Sequence, residues 1–124
     1  MYPRMALWLA AVAAAASLAG GALAVAATVS VPGNAAVGKT LFLRAGLFCA
    51  SCHTLKAAGS RGRDGRNLDQ AKPGYATIVE FVTSGSKPSR RWPTGMPGYG
   101  GPHGEISKAV IQDIAAFVYT ATHR

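Results

Sequence analysis

The sequence predicts an all-α domain of three or more helices behind an apolar N-terminal leader. Two apolar stripes of helical period carry that expectation. Tyr75, Ile78, Val79 and Val82 fall at i, i+3, i+4 and i+7, and Val110, Ile111, Ile114, Phe117, Val118 and Ala121 repeat the period over a longer run. Strand-like alternation is weak throughout, and no internal repeat is present. With 124 residues, the chain has room for one small domain.

The leader comes first. Met1 to Arg4 is a short basic start, and Met5 to Leu18 is an apolar run dominated by alanine. Gly20 and Gly21 interrupt it, and Ala22-Leu23-Ala24 and Ala24-Val25-Ala26 offer small-x-small cleavage sites. This is the layout of a secretory signal peptide. No charge appears between Arg4 and Lys39, and an apolar stretch of roughly 20 residues also spans a bilayer. Residues 1–27 therefore read first as a cleaved signal peptide and second as an uncleaved membrane anchor. Neither cysteine lies near the cleavage region, which excludes a lipoprotein anchor. Both surviving readings place the rest of the chain outside the cytoplasm, in a periplasm or on the outer face of the plasma membrane.

Residues 28–36 read as a linker, with Pro32 and Gly33 as breakers, and residues 37–122 as the domain. A domain this small buries too little apolar surface to be comfortably stable alone. The 49% hydrophobic composition is partly leader alanine and overstates the core. A first helix opens at Gly38 to Leu43, with Leu41 and Phe42 as its contacts. The second, through Tyr75 and Val82, closes at Ser84-Gly85, and the last starts after Ser107 as N-cap. Glycine-rich loops lie at Gly59 to Gly65 and Gly95 to Gly104, the second so rich in Gly and Pro that a bound group is expected to hold it still.

The chain's two cysteines stand together in Cys49-Ala50-Ser51-Cys52-His53. C-x-x-C-H reads as a c-type haem attachment site. Two thiols about one helical turn apart can each add to a vinyl group on the same porphyrin edge, and the following imidazole then lies under the ring as proximal iron ligand. Three other readings compete. Dithiol redox chemistry needs a βαβ context, which is missing around Cys49. Structural zinc needs a fourth ligand from His103 or His123. A plain Cys49–Cys52 disulfide would close a very short loop. Covalent haem c is the first reading, and it agrees with export, because thioether attachment takes place on the outer side of the membrane. Covalent haem would also supply the core that the chain lacks.

The stretches GKTLF, CASCHTL, GRNLD, MPGYGG and EISKAVIQDIAAFV resemble the small class I cytochromes c, particularly the short bacterial single-haem type. The resemblance covers most of the chain after the leader. It implies an all-α fold wrapped around one haem, with terminal helices crossing beside it at Gly38, Phe42 and Phe117. It also implies that a glycine allows the close approach while an aromatic fills the space alongside. Two departures stand out. The family's proline after the haem site, whose carbonyl accepts from the proximal histidine, is replaced by Arg66 in Gly65-Arg66-Asn67-Leu68. A backbone acceptor survives that change, but the fixed φ of proline does not. Phe42 and Cys49 are also more widely spaced than usual, so Ala45 to Phe48 is expected to bulge.

Met96 is the one methionine outside the leader, and Thr94-Gly95-Met96-Pro97-Gly98 resembles the family's distal-ligand loop. A lone methionine is often core filler, but flanking Gly, Pro and Gly do not form a packing face. Met96 is the expected second axial ligand, raising the potential relative to imidazole. His103 is the rival, His123 lies at the C-terminus, and an open site is the remaining alternative.

Without Arg4, twelve Lys and Arg face five acids, a net +7. Arg61, Arg63 and Arg66 share one loop, and Lys87, Arg90 and Arg91 precede the methionine loop. Some of these cations are expected to pair with haem propionates and others to form a docking face. Outside the membrane, such a surface steers towards acidic redox partners or anionic lipid headgroups. No motif for nucleic acid interleaves the charges. The expected function is one-electron carriage between a donor and an acceptor, with no catalysis of its own. A haem-bearing subunit of a larger oxidoreductase complex is the alternative. A haem enzyme or gas sensor would require that Met96 leave the iron open.

Overall fold

A computed structural model describes Gly21, residues 30–102 and residues 104–124. The leader and its cleavage sites (Gly21 apart) and His103 lie outside the described residues. In chain order the elements are α1 (Ala35–Phe42), a 3-10 turn (Ala45–Leu47), α2 (Cys49–Cys52), β1 (Thr54–Leu55), a 3-10 turn (Lys56–Ala58), β2 (Ser60–Arg61), α3 (Leu68–Ala71), α4 (Tyr75–Ser84) and α5 (Lys108–Thr122). The domain is mostly helical, as expected. Among the described residues it departs from all-α in a two-residue antiparallel ladder, Thr54 opposite Arg61 and Leu55 opposite Ser60, and in an isolated bridge between Ser86 and Met96. Strands so short leave no alternation to read. Among the described residues no helix is long and apolar enough to cross a membrane.

Helix α1 begins earlier than the sequence suggests. Asn34 caps it, its side-chain oxygen accepting from the amides of Ala36 and Val37 at 3.0 and 3.1 Å. The Asn34 amide donates to Asp113 Oδ1 at 2.7 Å, and the Tyr75 hydroxyl donates to the Pro32 carbonyl at 2.8 Å. Pro32 to Ala36, read as linker, thus belong to the domain. Both anchoring partners are more than forty residues away in sequence, so no local pattern announces them.

The crossing of α1 and α5 forms the base of the core. Gly38 is buried there, and a Cβ at that position would overlap the carbonyl oxygen of Asp113. Beside it Phe42 and Phe117 meet edge to face, with ring centroids 5.7 Å apart at 67°. Such a pair stabilises by about 0.5–1.5 kcal/mol beyond its buried area. Ser107 caps α5 as expected, its hydroxyl accepting from Val110 N at 3.4 Å. Ile111, Ile114, Ala115 and Val118 line the buried face, and α4 adds Ile78 and Val82.

The methionine loop has backbone partners of its own. Ser86 and Met96 exchange two backbone bonds, N to O at 2.8 and 3.0 Å. Tyr99 N donates to Val82 O at 2.9 Å, and Gly100 N to Thr83 O at 3.1 Å. The loop is therefore laced to the C-terminal turn of α4, whose carbonyls have no helical partner of their own. Gly85 permits this approach: its φ is +69°, and a Cβ there would collide with the Met96 carbonyl.

Candidate haem site

Cys49 and Cys52 occupy the single turn of α2, which places both free, half-buried thiols on one short segment. Phe48 leads into the turn with a φ of +59°, reversing the chain after the 3-10 turn at Ala45–Leu47. This is the expected bulge. Left-handed backbone costs a non-glycine residue about 1 kcal/mol.

His53 N donates to Cys49 O at 2.9 Å, closing the turn. The Nδ1 of His53 lies 2.8 Å from the carbonyl oxygen of Arg66. Since a carbonyl only accepts, Nδ1 carries the proton and Nε2 keeps its lone pair free for a metal. Bonds on either side of Arg66 hold its backbone. Gly65 N donates to Cys52 O at 2.8 Å, and Asn67 Oδ1 caps α3 at Gln70 N, 3.2 Å away. Gly65 also lies against the imidazole, where a Cβ would stand 2.6 Å from Cε1.

Met96 is half-buried and lines the same cavity as Cys49, Cys52 and His53. That cavity measures about 730 Å³, with Phe42, Leu47, Ile114 and Val118 as its apolar walls. Its size falls within the roughly 300–1,000 Å³ usual for cofactor sites. Two thiols, an imidazole with a free Nε2 and a thioether bordering one apolar cavity fit a covalently bound haem. Residues 33–118 match a family described as cytochrome C oxidase, cbb3-type, subunit III. The chain belongs to this family and is a small class I cytochrome c. Its cofactor is haem c. Among solved structures, the c-type cytochrome SorU from Sinorhizobium meliloti is similar to it at 32% identity, with a TM-score of 0.58 over 72% of this chain and 91% of that one. No curated protein matches the cytochrome.

The competing site chemistries fare poorly in this cytochrome. Burial pushes the Cys49 thiol up to about 11, against a backbone hydrogen bond that lowers it and with Cys52 adding to the rise. Dithiol redox centres need the opposite shift. Among the described residues no group of three or more His, Cys, Asp and Glu is placed to hold a metal ion. His123 stacks on Tyr119 at 4.1 Å and does not line the cavity.

Tyr99 does more than its place in the sequence suggests. It is buried beside Met96, and its hydroxyl donates to the carbonyl of Leu47, just before Phe48 and Cys49. It is a strut joining the methionine loop to the haem-attachment turn. Burial, with Cys49, Cys52 and Glu105 nearby, raises its phenol from 10.0 to about 12. Burial, the largest cause, persists when the thiols are thioethers. The raised value means that the unfolded chain loses this proton first. The strut's stabilisation is then full below about pH 10 and is lost as pH rises towards 12. Tyr99→Phe should cost about 1–2 kcal/mol near neutral pH. Chemical denaturation of both proteins should show that gap shrinking between pH 10 and 12; a gap constant across the window would refute the buried strut.

Proposed function

We propose that the cytochrome is a one-electron carrier in an extracytoplasmic electron-transfer chain. In this reading Cys49 and Cys52 hold the haem through thioether bonds, and His53 Nε2 and Met96 Sδ are its axial ligands. The bordering of one cavity by these four side chains carries the assignment. When bound, haem supplies the ferric–ferrous couple. The chain's own residues orient, close and insulate it. Arg66 O fixes the His53 ring, the lacing of Ser86 to Met96 holds the thioether in place, and the apolar wall keeps water out. A closed, six-ligand iron suits a carrier, since little moves when the electron does. Export by residues 1–27 agrees with thioether attachment outside the cytoplasm, and the basic surface suits acidic partners.

The test is spectroscopic. The purified oxidised protein should show the weak sulfur-to-ferric-iron charge-transfer band, and the reduced protein should bind carbon monoxide poorly. Ready carbon monoxide binding without the band would mean an open iron and would end the carrier reading. A second reading, a haem-bearing subunit of a larger complex, is favoured by the description of the matching family as an oxidase subunit. Comigration with a large complex on native extraction of membranes would select it over a free carrier.

A further inference from the structure

The loop that carries Met96 is tied to α4 by its backbone and to the haem-attachment segment by a side chain. Towards α4, Met96 pairs with Ser86, Tyr99 N donates to Val82 O, and Gly100 N donates to Thr83 O. Gly98 adds close packing there, since a Cβ on it would stand 2.7 Å from the carbonyl carbon of Ser84. None of these ties reaches the segment that holds Cys49, Cys52 and His53. Among the described residues, the hydrogen bond that does so is made by the Tyr99 hydroxyl, which donates to the carbonyl of Leu47. Tyr99 follows Met96 by three residues, and Leu47 precedes Cys49 by two. Both Tyr99 and Leu47 are buried, and both line the haem cavity.

The Leu47 carbonyl depends on this donor. The chain reverses at Phe48, with φ at +59°, and the amides of Ser51, Cys52 and His53 turn to Phe48 O and Cys49 O instead. Among the described residues no backbone amide donates to Leu47 O. The free Cys49 thiol approaches it at 3.7 Å. A cysteine sulfur bonded to haem has no S–H to donate, so haem attachment removes that partner and leaves the Tyr99 hydroxyl. A buried carbonyl stripped of its donor carries the full cost of its lost hydration, which makes this bond expensive to break.

We propose that Tyr99 is a positioning residue for Met96, latching the methionine loop to the haem-attachment segment and so keeping the Met96 sulfur closed on the haem. The proposal rests on the reading of Met96 as an axial ligand and deepens it. Movement of Met96 away from the cavity carries Tyr99 with it, and the bond to Leu47 must break. The latch therefore weights the local equilibrium towards the closed loop by roughly tenfold, the factor one buried hydrogen bond supplies. A small ligand that must wait for Met96 to leave then meets an open site rarely.

Carbon monoxide binding to the reduced holoprotein, followed by stopped flow, reads the open population, and chemical denaturation reads the fold. Tyr99→Phe keeps the ring and removes the hydroxyl. It should bind carbon monoxide about tenfold faster than the wild type, and on warming the oxidised form should lose the sulfur-to-iron band before its helices melt. Phe117→Leu weakens the α1–α5 crossing outside the haem cavity and should lower global stability at least as much. Its carbon monoxide rate should stay within about twofold of the wild type. A Tyr99→Phe variant that is less stable but binds at the wild-type rate would reduce Tyr99 to a structural contact and overturn the proposal. So would an equal acceleration in Phe117→Leu, which would trace the effect to general loosening. A wild type that binds carbon monoxide readily would end the carrier reading and the proposal together. A closed wild type with an unchanged Tyr99→Phe rate would end the proposal alone.

Discussion

Replacing both Cys49 and Cys52 with alanine is expected to give a chain without covalent haem that is largely unfolded. The argument is one of volume. A cavity of about 730 Å³ is a large share of the interior of so small a domain, which buries little apolar surface apart from it. The side chains that would be left facing the void, Phe42, Leu47, Ile114 and Val118, are core residues at and beside the crossing of α1 and α5. Loss should therefore reach the helix crossing and not stay local. Circular dichroism should show a large loss of helix in the variant, and mass spectrometry should show one covalent haem in the wild type only. A folded, cooperative, haem-free double variant would contradict the assignment of these cysteines.

Met96→Ala should have the next largest effect, and it acts on the iron with the fold preserved. Met96 reaches the cavity through a segment held by backbone bonds at Ser86, Val82 and Thr83, none of which uses its side chain. Truncation should leave the loop in place and the iron one ligand short. The charge-transfer band should disappear, carbon monoxide should bind the reduced protein readily, and the potential should fall by on the order of 0.2 V, a fraction of the roughly 0.8 V that axial ligands span. Thermal stability should drop modestly, by about 1–3 kcal/mol, from the lost sulfur–iron contact and the truncated side chain. A variant that keeps the band would exclude Met96. A wild type with no band but with iron closed to carbon monoxide would turn attention to His103 and a carrier of lower potential.

Much of the site was legible because its chemistry is local in sequence. Five consecutive residues hold the thiols and the imidazole, and α2 shows why: one helical turn sets their spacing. The stripe ending in Phe117 and Val118 and the cap at Ser107 also describe neighbours three or four residues apart, and α5 forms where they put it. Met96 stood out because its glycine and proline neighbours do not pack as a helix face. The role of Arg66 was readable in part, since a backbone acceptor does not depend on the side chain attached to it.

What the sequence determined by itself is the covalent chemistry and the helical faces, because spacing along the chain dictates both. What only the tertiary structure decided depends on partners far apart in the chain. The methionine loop is rich in glycine, yet it has backbone partners at the end of α4, and Gly85 makes room. Tyr99 finds Leu47 across 52 residues, and Asn34 finds Asp113 across 79. Arg61, Arg63 and Arg66 stand far from Arg91 in sequence, and only the fold brings them to one groove. Each of these contacts is made by a donor or charge whose partner the chain supplies only after it has folded back on itself.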